Sequence, residues 1–116
     1  MTKVTFYRHN GVFWGFRETG HTGFGSEGDD ILCAALSAMT MFLLNTLEIA
    51  YKADFDYTID DKDASVTVTC NSALPSSNAD EKVQFAVAGL FEGYYYQLVD
   101  LEEEYYEYLD VTVLEK

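Results

Sequence analysis

One histidine and one cysteine stand twelve positions apart in the stretch GHTGFGSEGDDILCAALSAM, residues 20–39, where His21 opens a glycine-rich segment and Cys33 sits inside an apolar run. A thiol and an imidazole are the minimum equipment for acyl transfer, with sulfur as nucleophile and the ring as base. Asp30, Cys33 and Ser37 fall at i, i+3 and i+7, so a helix here lines all three on one face. With the helix beginning near Asp29, Cys33 lies in or just past the first turn, where aligned peptide dipoles favour a thiolate. The N–H groups of that turn could supply an oxyanion hole.

Each of these residues has a plainer reading. Cys33 can be a small apolar side chain packed within ILCAAL, and His21 an exposed loop histidine. Asp30 opposes a neighbouring thiolate unless it holds His21 or receives a substrate amine; otherwise it is an acid at a helix start. Ser37 can hydrogen-bond the carbonyl four residues back. His9, beside Asn10-Gly11, reads as exposed, and Cys70, alternating with Val66 and Val68, reads as core. No metal site is expected, because one Cys, one His and scattered acids lack a second Cys/His pair at finger spacing. No cofactor is implied either, since there is no P-loop, dinucleotide fingerprint or serine-nucleophile elbow.

The elements that must position these groups can be read from periodicity. Residues 3–8 and 12–18 are rich in strand formers, and Asn10-Gly11 between them asks for a two-residue type I′ hairpin turn. A regular hairpin puts Val4, Phe6 and Arg8 on one face with Phe13 and Arg17, and Tyr7 on the other with Trp14 and Phe16. Large apolar groups on both faces suggest helices over one side and a second subunit over the other. Residues 29–50 predict a helix that is apolar nearly all round and therefore buried on most sides. Its apolar run ILCAALSAMTMFLL falls short of the roughly 20 residues that span a bilayer, so no membrane partner is expected.

A second hairpin follows, with Phe55, Tyr57 and Ile59 on one strand and Val66, Val68 and Cys70 on the next, joined by the acidic DDKD. After NSALPSSN, Asn78 and Glu81 resemble a capping box for a second helix, along which Val83, Val87, Leu90, Tyr94 and Leu98 recur at helical spacing. Ala86, Gly89 and Gly93 on that helix, and Ala34 and Ala38 on the first, suggest that the two cross closely. DLEEEYYE reads as a solvated helix end. YLDVTVLE closes the chain as a strand with Leu109, Val111 and Val113 inward. The order ββαββαβ predicts an α+β two-layer sandwich with one antiparallel or mixed sheet and two main helices, a single domain over 1–116.

Composition narrows the partners. The chain has 116 residues, 48% of them hydrophobic, and a formal charge of −13. Its seven basic residues are scattered, so direct nucleic-acid binding is not expected, whereas a basic protein or peptide would be attracted over long range. MTKVTFYRHNG lacks the apolar core of a signal peptide, which predicts a cytoplasmic protein with reduced thiols.

GHTGFGSEGDDILCAALSAM resembles the signature of the bacterial ribosomal-processing cysteine protease family, Prp. His21 falls on that family's catalytic histidine and Cys33 on its nucleophile, with Asp30 and Ser37 on its flanking polar positions. Thr22 and Gly25 replace residues that are usually small and alanine respectively, and neither change removes a reacting group. The resemblance implies a thiol endopeptidase that removes the apolar, aromatic N-terminal extension of a basic substrate, large-subunit ribosomal protein twenty-seven, and that works as a homodimer. In such an enzyme the segment containing Gly23, Gly25 and Gly28 would act as a flap over the peptide. The rival reading is a non-enzymatic acidic adaptor or assembly module that binds a basic ribosomal protein and merely packs Cys33.

Overall fold

The computed structural model describes residues 1–21, 25 and 30–116. Two strands, β1 (Thr2–His9) and β2 (Val12–Thr19), precede helix α1 (Ile31–Asn45), which runs on through a π-helical turn at Thr46–Ala50. A second hairpin, β3 (Asp56–Asp60) and β4 (Ser65–Thr69), leads through two 3₁₀ turns to helix α2 (Glu81–Glu104) and strand β5 (Leu109–Glu115). The five strands form one sheet in the order β3-β4-β2-β1-β5. It is a mixed sheet, because β1 and β5 run parallel while the other pairs are antiparallel. The expected ββαββαβ order holds.

Both helices contribute to one apolar layer against one sheet face. Leu36, Leu43 and Leu44 of α1 and Val87, Phe91, Tyr94 and Leu98 of α2 share a core with Val4, Phe6, Phe13, Phe16 and Val68. The aromatic rings are interlocked: Phe6 meets Tyr94 edge-on at 5.7 Å, and Phe16 meets Phe91 at 6.2 Å. Such offset and edge contacts add to the burial of the rings themselves.

The first hairpin turns as expected, with Asn10 and Gly11 both at positive φ (50° and 82°), but its face assignment needs correction. His9 pairs with Val12 and Arg8 with Phe13, after which Tyr7 pairs with Gly15 and Phe6 with Phe16. Trp14 is the extra residue of a β-bulge, and one extra residue flips every later side chain to the other face. Phe16 therefore joins Phe6 in the core, 5.7 Å away, rather than sharing the Tyr7 face, and Arg17 points away from the core to pair with Asp63. Away from the helices stand Tyr7, tilted against Trp14 and capped by the Lys116 ammonium, and its strand neighbour Leu114, which is about half exposed. Much of the sequence argument for a second subunit on that face goes with Phe16.

Three helix expectations also change. Helix α1 is not enclosed on most sides: Leu32, Leu36, Thr40, Leu43 and Leu44 are buried, while Ile31, Met41 and Phe42 are exposed. The helical backbone from Ile31 to Ala50 is 20 residues, long and apolar enough by length and composition to cross a membrane; in this fold its Leu32, Leu36, Leu43 and Leu47 go into the core instead. Helix α2 is capped by Asp80, whose side chain accepts the Lys82 N–H at 2.8 Å, and Asn78 sits before it in the left-handed region. The small-residue stripes do not meet: Ala34, Ala38, Gly89 and Gly93 are exposed, and a Cβ at either glycine would touch nothing within 4 Å.

Candidate active site

His21 leaves the sheet at the end of β2 through Gly20, which is held on both sides. Its N–H donates to the Ala64 carbonyl (3.2 Å) and its carbonyl accepts from the Thr2 hydroxyl (3.1 Å). Gly20 has φ +80°, and a Cβ there would lie 2.7 Å from the Met1 carbonyl oxygen. Only glycine fits that left-handed, backbone-crowded position without strain. The exposed His21 is thus launched from a fixed point.

Cys33 is set by the start of α1. Asp30 is the N-cap, in extended conformation (φ −75°, ψ 97°), and its Oδ1 accepts the Cys33 N–H at 2.9 Å. This satisfies one of the orphan amides of the first turn and fixes where the helix begins. Cys33 itself is half-buried. Ser37, one turn on, is exposed, and the structure gives it no bond back to the preceding turn among the described residues.

These residues converge on one cavity of about 250 Å³. His21 and Cys33 both line it, with Ser37 beside them; Asp30 stands behind, bonded to the Cys33 amide. Gly23 and Gly28 lie outside the described residues, and Gly25 is exposed. Cys70 is far from this chemistry: it is fully buried, its thiol donates to the Asp54 carbonyl at 3.3 Å, and burial pushes its pKa up. His9 is exposed at the opposite end of β2 from Gly20. Among the described residues no three metal-ligating side chains gather.

Sequence reasoning missed much of the cavity wall, including Glu18, Leu36, Thr40, Met41, Tyr57 and Val66. Glu18 is the chemically important one. On a regular hairpin it would share the face given to Trp14 and Phe16, away from Val4. Past the bulge it lies opposite Val4 and Val66, on the helix side. Its Oε2 accepts from Thr40 Oγ1 at 3.4 Å, and Thr40 Oγ1 is 3.1 Å from the buried Tyr94 hydroxyl. Burial raises the Glu18 pKa above its ordinary value, with the Thr40 hydroxyl pulling the other way. Burial, and then the Glu18 charge, likewise raises the Tyr94 pKa. The signal that could have found Glu18 is the aromatic run Phe13-Trp14-Gly15-Phe16: a bulge in it is the way to bury both phenylalanines on one side.

No curated protein sequence matches the chain. Among solved structures, SMU.848 from Streptococcus mutans is 30% identical, with 100% of this chain and 96% of that one covered and a TM-score of 0.77. The ribosomal processing protease Prp from S. aureus has the same fold in two peptide complexes. One, with a covalently linked product peptide, is 23% identical, covers 98% of this chain and 100% of that one, and has a TM-score of 0.80. The other, with a substrate peptide, is 20% identical over the same shares with a TM-score of 0.76. The sequence model of the family described as Cysteine protease Prp matches residues 1–110, and the chain belongs to that family.

Proposed function

We propose that the chain is a cysteine endopeptidase whose nucleophile is Cys33 and whose base is His21. The Cys33 sulfur attacks the scissile carbonyl carbon, forming an S–C bond while the C=O electron pair moves to oxygen; the imidazole takes the thiol proton. Collapse of the tetrahedral adduct breaks the C–N bond, and the ring returns its proton to the leaving amine. Water then attacks the thioester, gives a proton to His21, and releases the acid and the free thiolate. Because the Cys33 amide is bonded to Asp30, the first-turn amides of Ile31 and Leu32 are the better oxyanion donors. Asp30 is in this reading a positioning residue that fixes the start of α1. Ser37 offers a hydroxyl to the same cavity.

What carries the proposal is the shared cavity: a thiol at a helix start and an imidazole from the preceding strand end face the same 250 Å³ space. The substrate we infer is the N-terminal extension of a basic bacterial large-subunit ribosomal protein, of the protein twenty-seven type. The likeness to a ribosomal processing protease solved with a substrate peptide supports this, as does a charge of −13. A single domain over 1–116, a cytoplasmic location and a homodimer belong to the same reading, as does a peptide-covering role for the segment with Gly23, Gly25 and Gly28.

The test is incubation of the protein, and of Cys33→Ala, with a peptide carrying such an extension, read by mass spectrometry. A new N-terminus with the wild type alone is expected. Tight binding of the basic protein without cleavage by either form would overturn the protease reading in favour of an acidic adaptor.

A further inference from the structure

A carboxyl group on the wall of a nucleophile's cavity, with no lysine or arginine paired to it among the described residues, is a costly feature. Among the described residues the ion pairs are Arg8–Glu115 and Arg17–Asp63, and neither reaches Glu18. Its side-chain partner among the described residues is one hydroxyl, that of Thr40, at the long end of hydrogen-bond range. Glu18 is only partly exposed, and a largely buried carboxylate without an opposite charge costs stability unless a ligand brings the missing charge.

The surroundings say what kind of ligand. Leu36, Met41, Tyr57 and Val66 line the same cavity, and Tyr57 and Met41 are about half exposed at its mouth. Apolar walls leading to an acceptor match a side chain with a hydrocarbon stem and a cationic head. The Thr40 hydroxyl, itself held by Tyr94, occupies one carboxyl oxygen and so orients the group while leaving acceptor capacity for an incoming donor. Cys33 and His21 line the same space, so the side chain received there belongs to a residue close to the bond being cut.

We propose that Glu18 is a specificity-determining residue: its carboxyl pairs with a lysine or arginine side chain of the peptide substrate that enters the cavity beside Cys33. The inference rests on the protease reading above and adds a substrate class to it. Thr40 and Tyr94 are positioning residues for that carboxyl. The preference is a property of this chain's β2, because it depends on an acid at the second position past Phe16 and on the bulge that turns it inward.

The experiment uses the whole protein and a set of cleavable peptides based on the extended ribosomal N-terminus. Each position flanking the cut is replaced singly by Lys or by Met, which has a similar apolar stem without the charge. For the wild type, kcat/KM at one position is expected to favour Lys over Met by on the order of tenfold to a hundredfold, the range of a hydrogen bond between charged groups. Glu18→Met should erase or reverse that ratio while keeping cleavage of the Met peptide, and Glu18→Gln should lower it with little change in side-chain shape. The ratio is the readout because a merely structural role would depress both peptides together. A wild type that prefers Met at every position, or a Lys preference that survives both substitutions, overturns the inference and leaves the protease intact. A wild type that cuts no peptide overturns the protease reading and the inference with it.

Discussion

Replacing Glu18 by Met measures what the inner-wall carboxyl costs the free protein. In the unfolded chain this group titrates near its ordinary 4.5, and burial raises it in the folded protein. The sign follows from proton counting. Below pH 4.5 both states hold the proton, and Glu18 carries no penalty beyond that of a neutral acid. As the pH rises above 4.5, the unfolded chain releases its proton while the folded protein keeps it, so unfolding becomes steadily easier. The slope is 2.303RT per proton, about 1.4 kcal/mol for each pH unit, and it ends once the pH passes the folded-state pKa. The Met variant has nothing to titrate at this position.

The other carboxylates are common to both proteins and cancel in the difference. The stability of Glu18→Met relative to wild type is therefore expected to grow with pH at up to about 1.4 kcal/mol per unit, starting near pH 4.5, and then to level off. For a chain of this size each such step corresponds to roughly 5 °C in Tm. Urea unfolding of both proteins at half-unit intervals from pH 4 to 8, followed by the fluorescence of the single tryptophan, Trp14, gives the difference directly. A difference that is flat across this range, or one that shrinks as the pH rises, would refute the argument, since either would mean that the folded protein stabilises the charged carboxylate.

Thr40→Val, nearly the same shape, removes the hydroxyl between Glu18 and Tyr94; it should lower the urea midpoint by the equivalent of about 2 kcal/mol with an unchanged m-value, while Thr40→Ser stays close to wild type. Asp30→Ala should cost about 1 kcal/mol through loss of the cap on the Cys33 amide, and Asp30→Asn only a few tenths, as measured by thermal melts. Gly20→Ala should destabilise by about 2 kcal/mol or more, from positive φ and overlap with the Met1 carbonyl, and should reduce peptide cleavage more than a comparably destabilising change in β5.

Much of the architecture was legible because it rests on local chemistry. Asn10-Gly11 can adopt the positive φ values of a tight hairpin, the alternation of Val66, Val68 and Cys70 marks a half-covered strand, and Val87, Tyr94 and Leu98 repeat at the helical period. What was not legible turned on choices between equivalent local options. Asn78 and Asp80 are both good cap residues, and only the left-handed turn at Asn78 decides for Asp80. Flat patches on two helices permit a close crossing but do not require one, and here both stay open to solvent. The chemistry-bearing pair, His21 and Cys33, could be named from residue type and spacing. The cavity they share could not, because a third of its wall (Thr2, Tyr57, Ala64 and Val66) comes from positions far away in sequence.

The bulge at Trp14 links these failures to the site. A regular pairing would have turned Phe16 and Glu18 together to the outer face, leaving a hole in the core and a plain wall beside Cys33. One unpaired residue buries Phe16 against Phe6 and Phe91, and the aromatic packing gained is large enough to carry Glu18 inward with it. The carboxyl is thus held in place by contacts it does not make. The same geometry explains why the cavity has apolar walls at all. Tyr57 and Ile59 pair with Val68 and Val66 and so point to the helix side, yet they are 43% and 54% exposed, because the helices cover the middle of the sheet and stop short of its β3 edge. Tyr57 lines the cavity together with Glu18 and Cys33, so an apolar side chain of that edge, the acid and the thiol share one wall.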